Sequence, residues 1–310
     1  MSFSSDVKRE LCRFESFERD VLCAELYGML LFGKEFRENQ IVFTTESSHA
    51  ARRIIMLLQN LFMPIIEKQT TLRPKSDESK LYRISLIDSE ECRRVFESFG
   101  HDRNEVTLRV NRANVSGDEH AAAFVRGVFL SCGSVSDPVK SYHAEFCAPY
   151  KNLAADLSNI LREITECRFT PKTVLRSGNY VVYFKGSEQI CDLLTYIGAP
   201  VQAMEIMGTK AVKQVRNNIN RSVNGEIANI RKVASAATKQ LEAIQKIKRT
   251  KGWENLPEDL REIACLRLEN PEMSLRDLGE HLSTPISRSG ANHRMRRLME
   301  YAGMQEEHNG

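Results

Sequence analysis

Apolar side chains recur at helix or strand spacing through the first two hundred residues, and the order of the predicted elements repeats. The first half predicts helices over 6–32, 48–62 and 88–99, and strands over 40–45, 69–74 and 81–87. The second half predicts helices over 121–132, 151–166 and 187–196, and strands over 142–147, 169–176 and 180–185. In 81–86, apolar and polar residues alternate, so one face of that strand is buried and the other is solvated. We therefore expect an α+β repeat domain over 1–205, with halves of about 1–115 and 116–205.

Each half contains one apolar helix with a central glycine. Gly28 lies within 26–33, and Gly127 lies at the matching place within 125–133. Glycine inside a helix costs about 1 kcal/mol relative to alanine, so its use at both places requires an explanation. Two interpretations stay open: the glycines allow one helix to approach the other closely, or two ordinary core helices tolerate a glycine.

The segment 206–252 is predicted to be a basic helical linker. Its apolar residues are three or four positions apart, which predicts one long amphipathic helix, or two helices broken near Asn224 and Gly225. Within 210–252 there are 11 Lys or Arg residues and only two acidic ones, a charge distribution that attracts polyanions. The phosphate contacts that we predict are Lys213, Arg216, Arg221, Arg231 and Lys232. A solvated connecting helix is the alternative interpretation.

The tail, 253–310, predicts three helices in the order of a helix-turn-helix domain. Pro257 begins a helix over 258–268, which stops before Pro271 because the residue preceding a proline is driven out of helical geometry. Ser274 caps a second helix over 275–282, with Asp277 in the capping-box position. Ser287 is the candidate cap of a third helix that reaches about Ala302. The chain is therefore expected to end in an all-α domain.

The third helix of the tail has an apolar stripe and an opposite polar, basic face. The stripe is formed by Ala291, Met295, Leu298 and Ala302. The opposite face suits a major groove, where Arg pairs with guanine and Asn pairs with adenine. The DNA-binding residues that we predict are Ser274, Arg276, Ser287, Arg288, Ser289, Asn292, His293, Arg294, Arg296 and Arg297. A protein-docking module, or a solvated basic face, would have the same pattern.

Composition adds no sign of a metal, a cofactor or a membrane. The eight cysteines include no Cys-x-x-Cys pair and the seven histidines have no metal-binding spacing, so we interpret the cysteines as reduced core thiols. The longest apolar runs are far shorter than the roughly 20 residues that a bilayer requires. The N-terminal residues lack the apolar core of a signal peptide. A cytoplasmic protein without a cofactor is expected.

Residues 20–200 resemble the LAGLIDADG homing-endonuclease fold, in which two such glycine-containing helices pack at a pseudo-twofold axis below two sheets. In active members, an acid near the end of each motif helix binds the metal ions that cut DNA. Those two positions correspond to Gly33 and Cys132, which cannot supply the carboxylates that two-metal hydrolysis needs. The resemblance therefore implies a protein that is not an enzyme. A nuclease with displaced acids at Glu35 or Asp137 stays as an alternative.

Segments from three parts of the chain also resemble the WhiA family of bacterial regulators. They are 133–138 after the second motif helix, 216–221 in the linker, and 256–261, 274–282 and 287–294 in the tail. The resemblance implies a degenerate LAGLIDADG domain fused to a helix-turn-helix similar to the promoter-binding module of sigma factors. It implies double-stranded DNA as partner, with RNA polymerase or another transcription factor as a further one, and a place at the nucleoid. The implied role is sporulation control, or cell division and chromosome segregation. A docking scaffold for division proteins is the alternative.

Overall fold

The chain divides into two compact units. A computed structural model describes residues 2–72, 80–105, 107–250 and 253–303. The first unit is Met1–Gln214 and the second is Val215–Gly310. Each unit has its own cluster of buried apolar side chains, and each is described separately below.

The first unit is built from two halves with the same order of elements. The first half contains α1 (Phe3–Leu11), α2 (Arg19–Leu31), β1 (Glu35–Arg37), β2 (Gln40–Thr45), α3 (Ser48–Leu61), β3 (Ile66–Leu72), β4 (Lys80–Leu86) and α4 (Ser89–Ser98). The second contains α5 (Asp118–Cys132), β5 (Gly133–Val135), β6 (His143–Ala148), α6 (Lys151–Glu163), β7 (Lys172–Arg176), β8 (Asn179–Lys185) and α7 (Ser187–Ile197). A 3-10 turn, Arg112–Val115, lies between the halves.

Both sheets of the first unit are antiparallel and have the same topology. Their strand orders are β1-β2-β4-β3 and β5-β6-β8-β7, so the predicted repeat is confirmed at the level of strand pairing. On β4, Ile84 and Leu86 are buried, whereas Arg83 and Ser85 keep partial contact with solvent. The alternation expected from the sequence therefore sets which face of this strand covers the core.

Helix α8 (Pro200–Lys248) begins in the first unit and ends in the second, which also contains α9 (Glu258–Glu269), α10 (Leu275–Glu280) and α11 (Arg288–Tyr301). Ala243, Ile244 and Ile247 near the end of α8 are buried in the same apolar cluster as α9, α10 and α11. The segment predicted as a linker thus contributes to the core of the second unit. Among the described residues, no helix combines the length and the apolar character needed to cross a membrane.

Helices α2 and α5 pack against each other backbone to backbone at their glycines. A Cβ atom placed on Gly28 would overlap the carbonyl oxygen of Phe124 and lie 2.9 Å from the backbone nitrogen of Val128. A Cβ atom on Gly127 would overlap the carbonyl oxygen of Glu25. The backbone cannot rotate away as a side chain can, so only glycine permits this spacing. Of the two interpretations of these glycines, close approach is the correct one.

A buried group of charged side chains links three helices beside this contact. Glu25 on α2 is fully buried and accepts hydrogen bonds from Arg53 of α3 at 2.7 and 2.8 Å. It also accepts one from Nε of Arg126 on α5 at 3.1 Å. Arg126 donates further to the carbonyl oxygen of Ile197 and lies over the ring of Phe14. One carboxylate therefore stabilises two buried guanidinium groups, one from each half of the unit.

Several predicted elements need correction. The single helix expected over 6–32 is two helices, α1 and α2, separated by residues 12–18. The three-residue strands β1 and β5 were not predicted. The strand expected over 69–74 is β3, which begins at Ile66, while positions 73 and 74 lie outside the described residues. No break occurs near Gly225, because α8 is continuous there.

The predicted domain limits and the predicted burial of the cysteines can also be compared with the structure. The limit expected between 205 and 206 falls inside α8, and the one between 252 and 253 lies at the edge of the described residues. All eight cysteines are free thiols, as predicted. Cys265 on α9 is exposed, so the prediction that the cysteines are core residues is wrong for this one.

The glycine contact predicts that Gly127→Ala destabilises the first unit by about 1 to 3 kcal/mol, since the added methyl overlaps backbone atoms. Gly208→Ala is the matched control, because Gly208 is also in a helix of this unit and has no atom within 4 Å of its added Cβ. That control should be neutral or stabilising, by up to about 1 kcal/mol. Differential scanning calorimetry of the full chain measures both. Equal melting temperatures for the two variants would show that the close contact is not needed.

The buried charges predict that Glu25→Ala lowers the free energy of unfolding by about 3 to 5 kcal/mol, because two buried guanidinium groups lose their counter-charge. Glu90→Ala is the control, since it removes a carboxylate from an exposed ion pair with Arg93. That change should cost no more than about 1 kcal/mol. Urea denaturation followed by circular dichroism gives both values. A loss for Glu25→Ala as small as that of the control would refute the structural role of the cluster.

Candidate nucleic-acid interface

The three helices α9, α10 and α11 begin and end where local side chains satisfy free backbone groups. Pro257 is the residue before α9, and Asn270 ends that helix ahead of Pro271. Ser274 caps α10 by accepting a hydrogen bond from the backbone N–H of Asp277 at 3.2 Å, and its hydroxyl donates to the Asp277 carboxylate at 2.7 Å. Each boundary predicted from these residues is confirmed to within two residues, and the caps fix where α10 starts.

The turn between α10 and α11 is held by close contact at Gly279. The backbone N–H of Ile286 donates to the carbonyl oxygen of Gly279 at 2.9 Å. A Cβ atom on Gly279 would lie only 2.6 Å from the carbonyl oxygen of Ile286 and 3.5 Å from Cβ of Ala291. Small residues at 279 and 291 therefore let the two helices meet, and Ser287, which accepts from the N–H of Gly290, caps α11 directly after the turn.

Helix α11 buries one face and exposes the other, as its sequence predicts. The expected stripe, Ala291, Met295, Leu298 and Ala302, is 0 to 8% exposed. Met299 joins it at 5%. The exposed residues on the opposite side are Ser289, Asn292, His293, Arg296 and Arg297, and Ser287 and Arg288 are exposed at the start of the helix. The apolar stripe thus fixes which side chains face solvent, and that surface carries several cations and amide or hydroxyl groups.

Not all of the predicted DNA-binding residues have the same surroundings. Arg297 lies 3.3 Å from a carboxylate oxygen of Asp259 on α9, and Arg294 lies 3.9 Å from the same oxygen. Arg294 is only 21% exposed, so its position differs from that of the neighbouring arginines on the open face. Arg276 on α10 forms an exposed ion pair with Glu280 at 3.0 Å. Asp259 is therefore an acidic group at the edge of a basic surface.

The basic residues predicted to contact phosphate lie along α8, in two different situations. Arg216, Arg221, Arg231 and Lys232 are exposed. Lys213 is half-buried, since its amino group donates to the carbonyl oxygen of Pro138 at 2.8 Å and lies 5.0 Å from the centre of the Tyr142 ring. Lys213 is therefore engaged within the first unit, whereas the other four cations are open to solvent.

The two positions where an active LAGLIDADG enzyme carries acids lie at the ends of α2 and α5. Gly33 follows the end of α2, and Cys132 is the last residue of α5, where burial raises the pKa of its thiol to about 12. A thiol that stays protonated at neutral pH is a poor ligand for a hard cation. Asp137 accepts the backbone N–H of Val139 in a turn, and Glu35 begins β1. Within the described residues, no three Asp, Glu, His or Cys side chains are grouped to hold a metal ion.

Three polar residues of the second unit lie beside or beneath its basic surface in positions that were not predicted from the sequence. Asp259 faces α11, and Arg267 and Gln240 are almost completely buried, at 2% and 5% exposure. The sequence gives no sign of these positions, because Asp259 at the start of α9 and Arg267 near its end are ordinary helix-terminal residues, and Gln240 is one of many polar residues of α8.

Comparison with known proteins decides the family. The description "WhiA C-terminal HTH domain" applies to a family model that matches residues 219–302, and "WhiA LAGLIDADG-like domain" to one that matches 121–216. A protein of Clostridium botulinum called "Probable cell division protein WhiA" is 35% identical over 97% of this chain and 98% of its own length. The chain belongs to the WhiA family. A second relative of that name, from Clostridium acetobutylicum, is 36% identical with the same coverage.

Solved structures agree with the family. The crystal structure of full-length WhiA from T. maritima matches this WhiA-family chain with a TM-score of 0.60 and 26% identity, over 99% of this chain and 100% of that one. The structure of an isolated N-terminal LAGLIDADG domain of WhiA matches with a TM-score of 0.51 and 21% identity, over 64% of this chain and 90% of that one. The α+β repeat with a following helical helix-turn-helix domain is thus the fold of this family.

Proposed function

We propose that this WhiA-family protein is a non-catalytic, sequence-specific DNA-binding regulator of transcription, in which α11 enters the major groove of double-stranded DNA. The observation that carries the proposal is the division of α11 into a buried apolar stripe and an exposed face with Asn292, Arg296 and Arg297. Side chains on a helix that is fixed by its core are presented in a defined geometry, which base recognition requires. Ser289 and His293 complete the face toward the bases.

Phosphate contacts flank this face in the proposed complex. Ser287 and Arg288 lie at the start of α11, where free backbone N–H groups favour an anion. Ser274 and Arg276 lie at the start of α10 and would add further DNA contacts. Arg294 is half-buried beside Asp259, so its contribution is to the charge of the surface and not to base contacts. On α8, the exposed cations Arg216, Arg221, Arg231 and Lys232 add sequence-independent affinity.

The process that the protein serves is proposed from its relatives. The two clostridial relatives are both called probable cell division proteins. A regulator of division genes, bound at the nucleoid, fits both those names and the proposed DNA surface. Sporulation control, chromosome segregation and contact with RNA polymerase are narrower expectations that rest on the resemblance alone. A nuclease is disfavoured because Gly33 and Cys132 occupy the positions where its acids would lie.

The first test of the proposed function is the double variant Arg296→Ala and Arg297→Ala. Each arginine that contacts bases is worth about 1 to 3 kcal/mol, so the pair should weaken binding to a target duplex at least about tenfold. Targets are first selected from genomic fragments by gel shift with excess competitor DNA, and affinities are then measured by fluorescence anisotropy. Arg249→Ala is the control, because Arg249 is an exposed cation of the same unit outside the proposed face. Unchanged binding by the double variant would end the proposal.

The second test uses the acid beside the recognition face. Asp259→Asn removes the carboxylate that holds Arg297 and a negative charge beside the proposed face, so DNA affinity should rise by up to about fivefold. Glu258→Gln is the matched control, since Glu258 is the adjacent exposed acid and carries no ion pair among the described residues. Anisotropy titrations at two salt concentrations compare the two variants. If both raise the affinity equally, Asp259 acts only through net charge and does not restrain Arg297.

A further inference from the structure

A cavity of about 420 Å³ lies within the second unit, between α8 and the starts of α10 and α11. Its charged lining is entirely cationic, and its neutral polar residues are Gln240 and Ser274. The cations are Lys232 from α8, Arg267 from α9, Arg276 from α10 and Arg288 from α11. No acidic residue lines it, although Glu280 outside the cavity forms an ion pair with Arg276. Four cations from four helices around one space, one of them already paired with a carboxylate, favour an anion. The volume is in the range of small-ligand sites.

Arg267 is the residue that makes this cavity more than a basic surface. Its side chain is 98% buried, and burial lowers the pKa of its guanidinium. One terminal nitrogen donates to the carbonyl oxygens of Pro271 and Met273, which holds the turn before α10. Among the described residues, its Nε has no hydrogen-bond partner, and burial alone shifts its pKa, with no contribution from a carboxylate. A buried charge without a counter-ion is costly, and an anion in the cavity would offset that cost.

Gln240 supplies a second unsatisfied group at the same place. It is 5% exposed, it lines the cavity, and its Oε1 accepts no hydrogen bond among the described residues. An anion alone would leave this acceptor unsatisfied, whereas a ligand hydroxyl would donate to it. Val233, Ala236 and Leu275 form an apolar wall beside these groups. The lining therefore combines sites for an anionic head, a hydroxyl and a small apolar body.

We propose that this cavity binds a phosphate ester that also carries a hydroxyl group, with Arg267, Lys232 and Arg288 around the phosphate and Gln240 accepting the hydroxyl. A phosphate of bound DNA could also enter the cavity, but the DNA backbone has no free hydroxyl to donate to Gln240, so a free ester fits the lining better. Lys232, Arg276 and Arg288 also belong to the proposed DNA surface, so a free ester would compete with DNA for these three cations. The expected competition with DNA rests on the proposed function. The cavity and its unsatisfied polar groups are independent of that function.

Isothermal titration calorimetry of the full chain at low ionic strength tests the proposal, with adenosine 5′-monophosphate as probe and adenosine as the uncharged comparison. The nucleotide should bind at one site per chain, and adenosine should bind more weakly. Lys232→Met should weaken nucleotide binding about tenfold, the effect of losing one charge-assisted contact. Lys239→Met is the control, because Lys239 is an exposed lysine of the same helix that does not line this cavity. Arg267→Met is a second cavity variant, used only if its circular dichroism spectrum is native.

Anisotropy titrations with a target duplex identify the source of the phosphate. If the nucleotide binds and only the cavity variants weaken it, the ligand is a free ester. If it does not bind, the proposed ester site is overturned, and a loss of DNA affinity in Lys232→Met then reports only the phosphate contact proposed for α8. Equal effects of both lysine variants on every ligand, or no effect of either, would overturn the proposal. The variant with Arg296→Ala and Arg297→Ala should keep nucleotide binding, so failure of the proposed DNA function is distinguishable.

Discussion

The structure of the first unit depends on the distance at which α2 and α5 pass each other. Because Gly28 and Gly127 have no side chains, the two backbones touch. Each helix packs against the other helix and against its own half of the fold. This contact brings together two halves whose sheets have the same strand order. It also places Glu25 between Arg53 and Arg126, where one carboxylate serves both halves. Steric fit therefore comes first, and the buried electrostatics follow from it.

The second unit is organised differently, around small apolar side chains and helix caps. Ala291 meets Gly279 at the turn, and Met295 and Leu298 continue the same stripe into the core with the end of α8. Ser274 and Ser287 set the first residue of α10 and of α11. Because the caps fix the ends and the stripe fixes the rotation, the outward face of α11 has little freedom. A surface of this kind is suited to a ligand with regularly spaced groups.

Helices and the repeat were predictable wherever the sequence carries a local signal. The failed predictions have physical reasons, some local and some that involve residues far apart in the sequence. Helix periodicity, proline and serine positions gave the limits of α9 to α11, and the two matched glycines indicated the repeat. The break between α1 and α2 was missed because 12–18 contain neither Gly nor Pro, and Phe14 and Phe17 extend the apolar pattern. Gly225 does not end α8, since one glycine costs a helix only about 1 kcal/mol. The burial of Arg267, Gln240 and Glu25 could not be predicted, because it depends on neighbours far away in the sequence.

The middle of α8 has one more consequence, for the motions of the chain. From residue 214 to 230, before α8 meets the other helices of the second unit, every side chain is exposed, and Asn224 and Gly225, both weak helix formers, lie near the centre of this stretch. Without tertiary packing, the hydrogen bonds of this stretch are protected only by the helix itself. Amide hydrogens there should exchange with solvent much earlier than those of α2 or α5, and exchange should spread outward from Asn224. The longest helix of the described residues thus also contains a stretch with little protection against local unfolding.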